Sequence, residues 1–169
     1  MHNPQIKRVL FATENTSAAV GFASSLQSVF GVEVLCAPSL SDDFHDAGIA
    51  TRAADFSKSA ESILCGIDLL VVDLPDFDDL VLSGANFPKC VQGIDLDRIA
   101  LMRAAAKRFA EVAVVCDPDA YEGLLQELSD NAGATLYETR IRNAYEAFQA
   151  TSDYDYDVAS WLASKLGIG

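Results

Sequence analysis

Side chains able to do chemistry are densest between Ile94 and Arg108. Ile94-Asp95-Leu96-Asp97-Arg98 is followed by Arg103-Ala104-Ala105-Ala106-Lys107-Arg108, in a chain otherwise poor in cations. Carboxylates and cations this close together could hold an anion or move a proton. The same residues also describe an amphipathic surface helix of good intrinsic propensity, and read in isolation that is the simpler account.

The other candidates lie where short apolar runs end: Ala12-Thr13-Glu14, Cys36-Ala37-Pro38, Asp73-Leu74-Pro75-Asp76 and Asp117-Pro118-Asp119. Ligands of an open α/β sheet bind outside the carboxyl ends of its strands. These ends are acidic and carry no lysine, and neither G-x-G-x-x-G nor a Walker A loop is present, which argues against a dinucleotide or P-loop site. Asp73 could be a phosphoacceptor, but Thr13-Glu14 supplies one carboxylate where a receiver-type domain needs an acidic pair, and Asp117 stands where it needs a lysine. Asp153, Asp155 and Asp157 alternate like the start of a calcium loop, yet Val158 and Ser164 occupy the positions of its glycine and glutamate, so a solvated helix start or turn is expected. Asp76-Phe77-Asp78-Asp79 reads as a soluble loop. With His2 and His45 the only histidines, no metal site is expected.

These residues need a frame to hold them. Arg8–Thr13, Val32–Leu35, Ile67–Leu74 and Val112–Cys116 read as strands, the third nearly continuously apolar, as in a parallel sheet covered on both faces. Between and after them, apolar residues at helical spacing predict helices over Ser17–Phe30, Ser41–Ala47, Ile99–Ala110 and Ala120–Leu128, and throughout Leu136–Leu166. Thr16 or Ser17 is expected to cap the first helix, Gly31 to end it, Gly48 to close the second, and Asp117-Pro118 to open the fourth. The alternation predicts an α/β domain: a parallel sheet with helices on both faces and a helical C-terminal tail.

The chain has 169 residues, enough for one domain with its own core. Its 25 acidic residues outnumber 12 basic ones, giving a formal charge of −13 that repels nucleic acid and anionic membranes. Cys36, Cys65, Cys90 and Cys116 form no C-x-x-C pair and are expected to be reduced, mostly buried thiols. The polar start and the lack of a long apolar run lead us to expect a cytoplasmic location.

The dense segment continues into a longer pattern. Ile94-Asp95-Leu96 and Arg103-Ala104-Ala105-Ala106-Lys107 precede Val112-Ala113-Val114-Val115-Cys116-Asp117-Pro118-Asp119-Ala120-Tyr121, then Thr139-Arg140, Ala147-Phe148, Thr151, Tyr154-Asp155 and Trp161-Leu162. In these residues, and upstream in Ala47-Gly48-Ile49 and Gly66–Val72, the chain resembles the inosine-monophosphate (IMP) cyclohydrolase domain of the bifunctional purine-biosynthesis enzyme. That family carries I-D-I-G-G-x-x-x-x-R-A-A-A-K-N, then V-A-V-V-x-D-P-x-x-Y. The resemblance implies a three-layer, methylglyoxal-synthase-like fold, one IMP cyclohydrolase-like domain over residues 1–169, and no formyltransferase domain. It also implies a phosphoribosyl nucleotide ligand, a homodimer, a formyltransferase on a separate chain, and no cofactor. In the family a carboxamide nitrogen attacks a formyl carbon of the same substrate and water leaves. By resemblance Asp95 is the acid–base carboxylate and Lys107 stabilises the oxyanion, while Thr13, Ser39, Asp73, Arg98, Arg103 and Arg108 are substrate-binding positions.

The chain departs from the family in several places. The loop S-x-S-D-K-T-G is Phe11-Ala12-Thr13-Glu14-Asn15-Thr16-Ser17, and S-T-G-G-T is Cys36-Ala37-Pro38-Ser39-Leu40. Pro38 removes a backbone donor from the second loop. Asp73-Leu74-Pro75-Asp76-Phe77 replaces N-L-Y-P-F, Asp97-Arg98 replaces two glycines, and Arg108 replaces the closing asparagine. The lysine-bearing R-V-K-T-L-H-P segment has no counterpart; Lys58, Arg52, Arg98 or Arg108 would have to rebuild the anion site. Each lost electrostatic donor costs about 10² to 10³ in rate, so little ordinary turnover is expected. The alternatives are a non-catalytic subunit or nucleotide-binding regulatory module, and a methylglyoxal-synthase-type enzyme, which also needs a phosphate cradle.

Overall fold

Residues 3–168 are described by a computed structural model. His2 lies outside them. The sheet consists of β1 (Arg8–Ala12), β2 (Glu33–Cys36), β3 (Thr51–Ala53), β4 (Leu69–Val72) and β5 (Ala113–Val115). All its strand pairs are parallel, in the order β3-β2-β1-β4-β5. β1 and β4 lie at the centre, with Leu10 opposite Leu70 and Ala12 opposite Val72. The carboxyl ends of these two strands therefore sit side by side.

Alternating residues of each strand feed two cores, as strand geometry requires. Val9 and Phe11 of β1 face α1 (Thr16–Phe30), α2 (Ser41–Asp46) and α7 (Tyr121–Asp130), packing with Phe22, Leu26, Phe44 and Leu128. Leu10 and Ala12 face α3 (Ala60–Ile63), α6 (Leu96–Lys107) and α8 (Tyr137–Leu166), against Met102, Ala105, Ala106 and Ala147. The alanines let α6 and α8 lie close together and close to the sheet. A third cluster of Phe77, Cys90, Ile99, Tyr154 and Trp161 joins α4 (Phe77–Leu82) and α5 (Phe87–Gln92) to α6 and α8. The result is the expected three-layer α/β architecture with a helical tail, of methylglyoxal-synthase-like form.

Several local expectations are corrected. Asn15 rather than Thr16 or Ser17 caps α1, accepting from the Ala18 amide, while Gly31 ends it at φ +66°. β3 was not expected: it is three residues long and outward-facing at the sheet edge, so it lacks an apolar run. Asp76 is no loop residue but the cap of α4, and Asp153, Asp155 and Asp157 lie inside the continuous α8 rather than at a helix start. Cys36 and Cys90 are buried free thiols, Cys116 is partly covered, and Cys65 is exposed.

Arg140, 1% exposed, anchors the start of α8. Its guanidinium donates to the Phe109 carbonyl at 2.8 Å and to the carbonyl and hydroxyl of Thr135 at 2.6 and 3.1 Å. Nearby, Glu127 of α7 accepts from the Leu136 amide at 2.7 Å, a cap delivered from another helix. Replacing Arg140 with alanine strands buried carbonyls, so urea unfolding of the variant should show a loss of about 2–4 kcal/mol.

Candidate functional site

The site is built where β1, β4 and α6 meet. Asp95 precedes α6, and its Oδ1 accepts from the Arg98 amide at 2.9 Å in an N-cap. That bond and the first helical turn aim the Arg98 side chain back across the carboxyl edge of the sheet. Its Nε meets Asp95 Oδ2 at 2.5 Å, Nη1 meets Asp73 Oδ1 at 3.2 Å, and Nη2 donates to Glu14. Asp73 also accepts from the buried Thr13 hydroxyl and from the Glu14 amide at 3.0 Å. The Tyr154 hydroxyl accepts from the Asp95 amide at 3.1 Å, which fixes the cap from the side of α8.

The charge around Arg98 is self-contained. Its side chain is 18% exposed. Burial opposes its charge, but the Glu14 and Asp95 carboxylates outweigh that and hold its pKa above the ordinary arginine value. An open depression of about 710 Å³, with Glu14, Asp95, Asp97 and Arg98 in its wall, lies on one side. A smaller hollow of about 250 Å³, lined by Phe56, Lys58, Ser59, Asp97 and Arg98 among others, lies on the other. Arg98 thus forms a wall between two hollows, with its donors already directed at protein carboxylates.

The remaining sequence candidates are spread more widely. Thr13, Asp73, Asp95 and Arg98 converge. Lys107 is exposed at the last residue of α6, and twelve residues of helix set it about 18 Å along the axis from Asp95. Within one chain the two do not meet. Arg103 is bound to Asp155 at 2.6 Å and to the Thr151 hydroxyl at 3.1 Å. Arg108 pairs with Glu111 at 2.9 Å, and Ser39 is exposed in a short 3₁₀ turn after β2. Arg52 is drawn to Glu33 at 2.7 Å, beside Arg8, while Lys58 borders the smaller hollow. Sequence reasoning missed the joining of Glu14 to Arg98 and the support from Tyr154; Tyr154-Asp155 stood in the resemblance but carried no sign of contact with Asp95.

Acidity continues towards β5. Burial, with the negative charge of Glu146 and Asp117, pushes the Cys116 thiol up to about 12. Burial, with Asp73 and Asp117, does the same to the Tyr121 hydroxyl, also about 12. Neither supplies a nucleophile near neutrality. Among the described residues no group of three or more His, Cys, Asp or Glu side chains could hold a metal ion.

Two outcomes follow from this geometry. Arg98→Met leaves three carboxylates facing one another and should cost about 1–3 kcal/mol in denaturant unfolding, whereas Lys107→Ala at an exposed helix end should cost under about 0.5 kcal/mol. A raised thiol pKa means that the unfolded chain loses its proton first as pH rises. The Cys116 contribution is therefore intact below pH 9 and lost between about 9 and 12, and Cys116→Ala should flatten that part of the stability–pH curve.

The family model described as AICARFT/IMPCHase bienzyme matches residues 105–167, beginning after Asp95 and Arg98 but including Lys107. The bifunctional purine biosynthesis protein PurH of Rhizobium rhizogenes is 43% identical over 103 residues, covering 61% of this chain and 19% of that protein. PurH of Rhodospirillum rubrum is 30% identical over 200 positions, covering 99% of this chain and 38% of its own length. That alignment is longer than the chain because the relative carries extra residues within it. The chain thus spans about a fifth to two fifths of the length of these curated relatives. A crystal structure of ForH superimposes with a TM-score of 0.71 at 23% identity, over 91% of this chain and 97% of that one, which supports the fold. No helix among the described residues is long and apolar enough to cross a membrane. The chain is related to the bifunctional PurH proteins and has the form of a shortened, divergent IMP cyclohydrolase-like domain.

Proposed function

We propose that this chain serves the purine pathway as a non-catalytic IMP cyclohydrolase-like module, acting as a subunit or a nucleotide-binding regulator. The observation that carries the reading is the Arg98 cluster. Closing a purine ring on a ribonucleotide requires a phosphate cradle and a polarising cation beside the formyl oxygen. Here the best-placed guanidinium is committed to Glu14, Asp73 and Asp95, and a substrate phosphate would arrive as a further anion among them. The activity that fits beside it is a formyltransferase, because the matching family model describes a bienzyme. A cytoplasmic location agrees with that role.

A second reading, a divergent cyclohydrolase, is favoured by Asp95. Its carboxylate borders the 710 Å³ depression, and the Tyr154 hydroxyl holds the backbone beneath it. In that case Asp95 would take the carboxamide proton as the nitrogen attacks and return a proton to the departing oxygen.

Ring closure followed by absorbance separates the two. The module reading expects no turnover above the uncatalysed rate; a regulator that binds the nucleotide away from the Arg98 cluster adds a thermal shift by IMP, about 2.7 kcal/mol of apparent stability at 100-fold above Kd, and a subunit adds none. Wild-type turnover reduced by about 10² or more in Asp95→Asn and Lys107→Ala, with the fold intact, would establish the enzyme instead.

A further inference from the structure

Past β5 the sheet ends, and beyond that edge α7 and α8 enclose a hollow of about 260 Å³ that none of the groups around Arg98 borders. Val115 of β5 and Leu124 of α7 give it apolar sides, and Asn143 of α8 enters its wall. Thr139, Arg142, Asn143 and Glu146 stand at i, i+3, i+4 and i+7, so one face of α8 turns towards it. At one end Glu127 is already occupied, accepting from the Leu136 amide at 2.7 Å and from the Thr139 hydroxyl.

Two features of this hollow work against the stability of the fold. Asn143 is 8% exposed, yet its side-chain amide makes no hydrogen bond among the described residues. Every fully enclosed side-chain nitrogen and oxygen among those residues has a partner, so the Asn143 amide is not sealed off and opens into the hollow. Two N–H donors and a carbonyl acceptor are thus withdrawn from bulk water with nothing to answer them, where a leucine of similar size would forfeit no hydrogen bond. On the α7 side, Gly123 sits inside the helix, which an alanine would stabilise. Packing does not ask for the glycine, since no atom lies within 4 Å of where its Cβ would be. An unpaired amide on one wall and a missing side chain on the other are both explained if the space is kept for a ligand.

The walls set the chemistry of that ligand. The chain's net charge of −13, with Glu127 and Glu146 at the hollow against Arg142, disfavours an anion. An asparagine amide, with N–H beside C=O, pairs with a second group that has an acceptor beside a donor, making two parallel hydrogen bonds, as it does with the edge of adenine. We propose that the hollow binds a small, net-uncharged molecule that presents an amide edge to Asn143, the chemistry shared by the lactam of a free nucleobase and the carboxamide of an amino acid such as glutamine. Its volume lies just below the roughly 300–1,000 Å³ of sites for drug-sized ligands, so the occupant is smaller than those. The site is separate from the Arg98 cluster and stands whether or not the chain closes a purine ring.

Isothermal titration of the full chain with uracil and with glutamine tests this. At least one should bind with a Kd of about 1 mM or tighter. Uracil alone points to a lactam, glutamine alone to a carboxamide, and both to the edge they share. Doubly N-methylated uracil, which has no donor left, should give no heat. Asn143→Leu should weaken binding at least about ten-fold while the thermal midpoint stays level or rises. Gly123→Leu, filling the hollow from α7, should weaken it as well, and it reads the same space should Asn143→Leu fail to fold. Neither probe binding at about 10 mM, a methylated uracil that binds as well as uracil, or binding that survives both substitutions would overturn the proposal. So would a folded Asn143→Leu with a clearly lower midpoint, since the amide would then be a structural partner.

Discussion

The carboxyl edge of the parallel sheet gathers the carboxylates of Glu14, Asp73 and Asp95 around the guanidinium of Arg98, and the arrangement of the loops there depends on that balance. Three carboxylates this close would repel one another strongly in a partly dry setting, where effective dielectric constants are well below that of water. A guanidinium with five fixed donors can answer all three at once, which a lysine ammonium does less well. Thr13 contributes a further donor to Asp73, so no fully enclosed side-chain nitrogen or oxygen among the described residues is left without a partner. The loop after β1, the end of β4 and the first turn of α6 are tied together by this one side chain.

The same contact bears on what can bind. An anion-binding site presents donors that have no other acceptor; here the donors point at protein oxygens. Lys58 borders the smaller hollow beyond Arg98, yet it also faces Asp55 at 3.5 Å. A ribonucleotide phosphate entering either hollow would compete with carboxylates already held in place by helix capping and by the sheet. Where the resembled family's segment has its second glycine after the aspartate, this chain has Arg98, whose side chain stands between the two hollows.

The sequence revealed the strands with dense apolar runs, since Val9, Leu10, Leu70, Val71 and Val114 are buried on one face of the sheet or the other. β3 escaped because Thr51-Arg52-Ala53 is an edge with two exposed residues and nothing to alternate. α4 and α5 escaped because each has only six residues, and an aspartate or asparagine cap before a short apolar stretch also describes a turn. Of the site, Asp73 was marked by its place at a strand end and Asp95 by the resemblance. The Arg98 cluster was not: its partners Glu14 and Asp73 lie 84 and 25 residues away in sequence, and ion pairs at such separations leave no periodicity to read.

α6 explains why the two residues most suggestive of catalysis carry less weight than their presence implies. An aspartate at a helix N-terminus satisfies orphan amides and sits at the positive end of the dipole; a lysine in the last turn sits at the negative end. Asp95 and Lys107 occupy those two places. Each is stabilising in its own right, and both would persist in a domain that had lost its reaction. Between them the helix places Leu101, Met102, Ala105 and Ala106 in the core, so its composition is constrained along its whole length by packing. The alanine run flanked by charges is therefore accounted for by the requirements of a helix pressed between a sheet and α8. Arg98 is the exception: neither capping nor core packing requires an arginine there, and its side chain instead joins Glu14, Asp73 and Asp95 at the carboxyl edge of the sheet.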